Sequence, residues 1–152
     1  MRQLSFSSNL KASADEVWRH ATSMAGVNQE LAPMTRMTFP ARFAELGKDL
    51  PPTGEPLWKS WILAWGIIPI DVWDITFESF QGAPERRFVE TSRTLSLSRW
   101  RHERRVERRE SGCRVVDDLT LAPRVPGTGA ILERFVRATF VRRHAFLQSR
   151  FG

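Results

Sequence analysis

Polar and apolar residues alternate from Arg2 to Leu10. Leu4, Phe6, Ser8 and Leu10 fall on one side, and Gln3, Ser5, Ser7 and Asn9 on the other. A period of two marks a half-buried strand. Ser13 stands three residues before Glu16, the spacing of a capping box, and Ala14, Val17, Trp18 and Ala21 follow at helical spacing. A second short helix is predicted near Val27–Leu31, ending before Pro33. Strands are predicted over Met34–Phe43, Leu57–Ile67, Ile70–Gln81, Arg86–Leu97, Arg99–Arg109 and Cys113–Val125, with the second and third joined by a turn at Ile68-Pro69. Pro126, Gly127 and Gly129 then interrupt the chain. From Ala130 to Phe151 there is no breaker, and Ile131, Leu132, Phe135, Val136, Thr139, Phe140, Phe146 and Leu147 form an apolar stripe. That pattern predicts a long amphipathic helix.

The order is strand, two short helices, about six strands and one long helix, which specifies an α+β fold. A curved antiparallel sheet with one apolar face needs a cover, and the last helix supplies it. Glu45–Pro56 holds three Pro and two Gly. It reads as a loop over the domain, so residues 1–152 are read as a single domain.

The segment from Trp100 to Pro123 carries the sharpest local signal. A turn at Glu110–Gly112 pairs Val106 with Val115, Arg104 with Asp117, His102 with Leu119 and Trp100 with Leu121. Those eight residues then share one face, which holds nearly all the apolar groups of the hairpin and is placed inward. A one-residue slip would invert every side chain. This phase puts His102, Arg104 and Asp117 inside, where a charge needs a partner or a ligand. They form either a satisfied internal ion pair with a packing histidine or the polar end of a ligand pocket.

Composition narrows the function classes. The 152 residues include six Trp, ten Phe, no Tyr and one Cys, and the net charge is +6. Only three of the 23 basic residues are Lys; the rest are Arg. A single Cys excludes an internal disulfide framework and a multi-Cys zinc site. The longest apolar stretch, Trp61–Ile70, has ten residues, about half of what a membrane helix needs. The first residues lack a signal-peptide pattern, and a cytoplasmic location is expected. His20, His102 and His144 lie on three different elements, with His20 and His144 expected on helix surfaces, so no metal and no cofactor is expected. Gly127-Thr-Gly129 lacks the lysine and the spacing of a phosphate loop. Cys113 is expected at a hairpin turn, away from any cavity.

The positive charge invites a nucleic-acid partner, but Glu103 and Glu107 alternate with Arg101, Arg105 and Arg109 on the outer strand face. Nucleic acid is therefore disfavoured. Peripheral contact with an anionic membrane, or with a regulatory partner, through the basic face is a further reading. Nothing in the pattern sets the oligomeric state.

Element order and local motifs resemble the START-like, helix-grip superfamily, also called SRPBCC or polyketide cyclase/dehydrase and lipid-transport proteins. One bacterial branch carries W-x-H-x-H, a G-T turn and D-x-V-x-Y-x-x-P. Here the corresponding residues are Trp100, His102 and Arg104, then Gly112-Cys113, then Asp117, Leu119, Leu121 and Pro123. Phe88-Val89-Glu90 is similar to its F-V-D, and Phe140, Arg143 and Leu147 match its F-x-x-R-x-x-x-L. The second His is replaced by Arg104, the turn Thr by Cys113, and G-P-F by Leu95-Ser-Leu97. A role requiring both histidines is not carried over.

The resemblance implies a deep, largely apolar cavity between sheet and helix, and binding of a lipid, polyketide, aromatic or similar hydrophobic small molecule. The candidate ligand-binding residues are Trp100, His102, Arg104, Asp117, Trp61, Trp65, Trp73, Phe77, Phe135 and Arg143. A carrier or sensor for such molecules needs about 300 Å³ or more. The alternative is a cyclase or aromatase in which His102 serves as acid/base.

Overall fold

The computed structural model describes residues 1–152. In chain order the elements are β1 (Arg2–Leu10), α1 (Ala14–Ala21), α2 (Met24–Leu31), β2 (Thr35–Met37), β3 (Pro56–Ala64), β4 (Ile68–Gln81), β5 (Arg87–Glu90), β6 (Arg93–Thr94), β7 (Leu97–Arg108), β8 (Cys113–Pro123) and α3 (Gly129–Phe151). A single 3-10 turn, Ala41–Phe43, follows β2. The strands form one antiparallel sheet in the order β1-β8-β7-β5-β4-β3-β2, with β6 beside β4. Helix α3 packs across β1 and β8, and α2 packs on α3. This is the curled sheet and long covering helix of the helix-grip arrangement.

Local chemistry explains the ends of the elements. Ser13 Oγ accepts from the Glu16 backbone N–H at 3.2 Å and caps α1. At the far end of α3 the Phe151 carbonyl accepts from Lys11 N–H and Ala12 N–H at 2.9 and 3.1 Å. That satisfies a carbonyl the helix leaves unpaired and fastens α3 to the β1–α1 connection. Leu46, in the long Glu45–Pro56 loop, is buried against the core.

Several boundaries depart from the periodic pattern. Helix α2 starts at Met24 because Ser23 Oγ accepts from Gly26 N–H at 3.0 Å. Met34–Phe43 yields only three strand residues before the 3-10 turn. The β3–β4 turn is Trp65-Gly66-Ile67, not Ile68-Pro69, because Trp65 and Gly66 take φ of 50° and 78°. Arg86–Leu97 is broken at Thr91-Ser92. There the Ser92 hydroxyl accepts from Thr76 N–H at 3.2 Å and donates to Glu90 Oε2 at 2.5 Å, replacing a ladder bond.

The β7–β8 register is the expected one, with Val106 opposite Val115, Arg104 opposite Asp117, His102 opposite Leu119 and Trp100 opposite Leu121. Gly112 closes that hairpin with φ 96°. A Cβ there would lie 2.0 Å from the Leu10 carbonyl oxygen. Gly112→Ala should therefore cost at least about 2 kcal/mol, from left-handed strain plus the clash. The drop in melting temperature should be about 5 °C or more. An unchanged melting curve would show that the turn relaxes freely.

Two apolar clusters build the core. One gathers Leu10, Val17, Trp18, Phe77, Phe80, Phe88, Val106, Val115 and Leu147. The other gathers Leu4, Leu97, Trp100, Leu119, Leu121, Val136 and Phe140. On β7, His102 and Arg104 lie between Trp100 of one cluster and Val106 of the other, and all four are buried. On α3, Arg143 and His144 separate Phe140 from Leu147 in the same way. A belt of polar side chains thus crosses the interior at one level.

Candidate functional site

The belt is centred on Arg104, which has no solvent exposure. Its Nε and Nη2 donate to Asp117 Oδ1 and Oδ2, both at 2.8 Å. On its other edge Nη1 donates to Glu30 Oε2 at 3.0 Å, and Nη2 lies 3.0 Å from Glu30 Oε1. One guanidinium thus grips two buried carboxylates, and its planar fork suits this.

Both carboxylates are saturated with donors. Asp117 Oδ1 also takes His102 Nε2 and Oδ2 takes His144 Nε2, each at 2.7 Å. Glu30 Oε2 takes His20 Nε2 at 2.9 Å, and Oε1 takes Arg143 Nε at 3.0 Å. Each acid therefore meets four polar donors, the most its two oxygens hold. Glu30 and Asp117 balance Arg104 and Arg143, and the Glu90 carboxyl, 3.8 Å from His102 Nδ1, stands outside that balance.

The balance sets the acidity of these groups. Burial alone would raise Asp117, but the Arg104 charge and the donors from Arg104, His102 and His144 hold it well below the usual carboxylate range. Burial also opposes ionisation of Glu30, and the charges of Arg104 and Arg143 with donors from His20 and Arg104 overcome it. Arg104 is pushed down by burial and more strongly up by Asp117 and Glu30, so it stays charged.

An ionised Asp117 only accepts, so His102 donates from Nε2 and a neutral ring carries its lone pair on Nδ1. That nitrogen faces Glu90 Oε1 at 3.8 Å, beyond hydrogen-bond reach. His102, Glu90, Arg143 and Met37 together line two adjoining hollows between sheet and helices. One, of about 60 Å³, is walled by Trp58, Ile75, Phe77, Phe80 and Phe88. The other, of about 90 Å³, is walled by Ile62, Trp73, Trp100, Phe135, Val136 and Phe140.

Several expectations change here. In place of one deep cavity, the space between sheet and helix is two adjoining hollows of about 60 and 90 Å³, with Phe77, Phe80 and Phe88 walling the first and Phe140 the second. Trp61 and Trp65 line neither hollow; they are 51% and 71% exposed on the outer side and tip of the β3–β4 hairpin. Arg104 and Asp117 lie behind the hollows, with their polar atoms fully engaged by the belt. Phe135 and Ile131, from the expected apolar stripe of α3, are 40% and 70% exposed. His144 is buried and takes part in the belt, with Ser8 Oγ 2.6 Å from its Nδ1, instead of standing on the helix surface. His20 is likewise drawn in through Glu30. Cys113 is buried at the start of β8. Trp73, Phe77, Trp100, His102, Phe135 and Arg143 do line the hollows.

Glu30, Glu90 and Ser8 were missed as members of the group. Glu30 had a signal: it stands three residues after Val27 and beside Leu31, on the inner side of α2.

The family model of DUF8410, a domain of unknown function, matches residues 8–151. The chain belongs to that family. No curated protein matches its sequence. Among solved structures, this DUF8410 chain is similar to a START superfamily protein from Mycobacterium smegmatis, with 10% identity and a TM-score of 0.66 over 98% of this chain and 96% of that one. It is similar to the Zhui aromatase/cyclase from Streptomyces, with 13% identity and a TM-score of 0.69 over 96% and 90% of the two chains. It also matches the di-domain ARO/CYC BexL at 19% identity and a TM-score of 0.67, covering 98% of this chain and 46% of that one. At these identities the likeness establishes the START-like helix-grip fold of the DUF8410 chain. No helix in it is long and apolar enough to cross a membrane.

Proposed function

We propose that the protein binds a small apolar molecule carrying one acceptor oxygen, held in the hollows between sheet and α3. The observation that carries this is Trp100 Nε1, the one buried side-chain nitrogen or oxygen without a hydrogen-bond partner. An unsatisfied buried donor costs about 1–3 kcal/mol; Trp100 lines the larger hollow, and an occupant that lets the ring turn its N–H toward an acceptor oxygen relieves that cost. Arg143 adds donors to the same wall, since only its Nε is engaged, with Glu30. The START-like fold, shared with an aromatase/cyclase, supports the same use of the space.

Size sets the ligand class. Apolar cavities of about 150 Å³ take up benzene, and the two hollows joined come to that size. A lipid or an extended polyketide requires roughly 300 Å³ or more. The favoured ligand is therefore a single-ring or short-chain carbonyl compound or phenol.

Tryptophan fluorescence gives the test, because Trp58, Trp73 and Trp100 line the hollows. Titration with benzaldehyde and with toluene should give saturable changes, tighter for benzaldehyde, and Trp100→Phe should remove the difference. Equal affinity of the two compounds, or no saturation with either, would overturn the reading.

The contact between Asp117 and His102 favours a second use of the same space. A carboxylate that holds Nε2–H leaves Nδ1 as a base facing the hollow, suited to removing a proton next to a bound carbonyl. His102→Gln keeps a donor for Asp117 and deletes that base. Exchange of α-hydrogens of acetophenone into deuterated water should fall to background in this variant, with binding retained. Exchange that persists would take His102 out of the role.

A further inference from the structure

The β3–β4 hairpin ends in a run of unburied apolar side chains. Trp65, Ile67, Ile68 and Ile70 are 71%, 77%, 52% and 50% exposed. Scattered exposed apolar residues need no explanation, but a contiguous group at one tip marks a contact surface. The group extends sideways. Leu95 N–H donates to Asp71 Oδ1 at the base of the hairpin, and Arg124 N–H donates to the Ser96 carbonyl, so Leu95 and Val125 belong to the same end. These two are 67% and 58% exposed.

Trp65 is held there against its own backbone preference. It sits at φ 50°, in the left-handed region that bulky residues rarely occupy. Its N–H is tied to the Met34 carbonyl at 2.8 Å. The turn would be relaxed by Asn or Gly, yet it carries the largest apolar side chain available.

The charge around this tip has one sign. Arg36, Arg93, Arg99, Arg124, Arg134 and Arg137 are exposed. The segments 32–39, 57–74, 91–100 and 122–139 that build this end contain three carboxylates, Asp71, Asp74 and Glu133. Asp74, opposite Arg93, accepts from Lys59 Nζ at 2.8 Å. Asp71 is buried and accepts from Ser96 Oγ, Trp73 Nε1 and the N–H groups of Val72 and Leu95. Glu133 pairs with Arg2 at 3.6 Å. No free acid therefore offsets the arginines, whereas the acids of the outer β7–β8 face are paired with theirs.

We infer that this end of the molecule docks on an anionic lipid surface. Trp65, Ile67 and Ile68 enter the boundary between headgroups and acyl chains, and the surrounding arginines meet the phosphates. A Trp at the tip suits that boundary, where one edge of the ring is apolar and the other wet. Apolar insertion and anionic attraction together give reversible binding that falls steeply with salt. Phe135, 40% exposed, also lines the larger hollow, so the docked protein turns that side of the hollow toward the bilayer.

Sedimentation of the full chain with vesicles tests the inference and needs no ligand. Vesicles of about three parts phosphatidylcholine to one part phosphatidylserine should bind it at low salt, and neutral phosphatidylcholine vesicles at least about tenfold less. Trp65→Asn combined with Ile67→Ser should lower binding to the anionic vesicles at least about tenfold. The melting temperature of that variant should be unchanged or higher, since Asn accepts φ above zero. Absence of binding at low salt, or full binding by the variant, would overturn the inference. Tip-dependent self-association without vesicle binding would also overturn it, by assigning the surface to a second copy.

Discussion

Arg104→Met should destabilise the fold by at least about 3–5 kcal/mol, because it leaves two buried carboxylates without their shared cation. For a chain of this length that is a fall in melting temperature of about 10 °C or more. The loss comes from stranded charge more than from the missing contacts. Glu30 and Asp117 have no exposed side-chain surface and cannot turn to water. Hence a triple variant, Arg104→Met with Glu30→Gln and Asp117→Asn, should be more stable than Arg104→Met alone, although it has lost more native groups. Urea unfolding of the three proteins decides the point. A triple variant weaker than the single would show that geometry, not charge balance, holds the belt together.

Stability should collapse in acid with a slope set by the same two acids. Their ordinary values are 4.5 for Glu30 and 3.8 for Asp117, and both are lowered in the folded protein. Above about pH 5 both are ionised in the folded and unfolded chains alike, and their stabilisation is fully present. As pH falls below about 4.5, the unfolded chain takes up protons that the folded chain refuses, so the balance shifts toward unfolding. With two protons involved, the slope approaches about 2.7 kcal/mol per pH unit below about pH 3.5. Glu30→Gln with Asp117→Asn should lower stability at pH 7 and flatten this slope. Urea unfolding between pH 6 and pH 2.5 measures both, and an unchanged slope in the double variant would assign acid sensitivity to other groups.

The interior holds two apolar clusters separated by a charged layer in which Arg104, Glu30 and Asp117 are mutually paired. The hollows open against that layer and not against plain hydrocarbon. Any occupant therefore meets an apolar wall on most sides and His102, Glu90 and Arg143 at one level. Such a site orients a molecule with one polar end.

Much of this was legible in the residues. The alternation in β1, the capping serine of α1 and the register of the β7–β8 hairpin follow from local rules and stand as expected. The hairpin register in turn placed Arg104 opposite Asp117 on the inner face. Its outer ladder of Arg105, Glu103 and Asp118 is a solvated ion-pair surface, as the alternation implied. The β3–β4 turn falls at Trp65-Gly66-Ile67 and not at Ile68-Pro69: Pro69 outranks Trp65 as a turn former by local rules, while tertiary context holds Trp65 at positive φ.

The sequence by itself determined the element order, the inward face of β1 and of the β7–β8 hairpin and the presence of one internal ion pair, because these depend on neighbours two to four residues apart or across one tight turn. Only the tertiary structure decided that Glu30 joins that pair and that His20 and His144 complete it. The distance from Glu30 to Arg143 along the chain is 113 residues, and no periodic pattern reports contacts of that range. The same holds for the size of the cavity. The count of aromatic rings is fixed by the chain, but whether Phe77, Phe80, Phe88 and Phe140 line a void or fill it depends on how closely the helix is drawn onto the sheet.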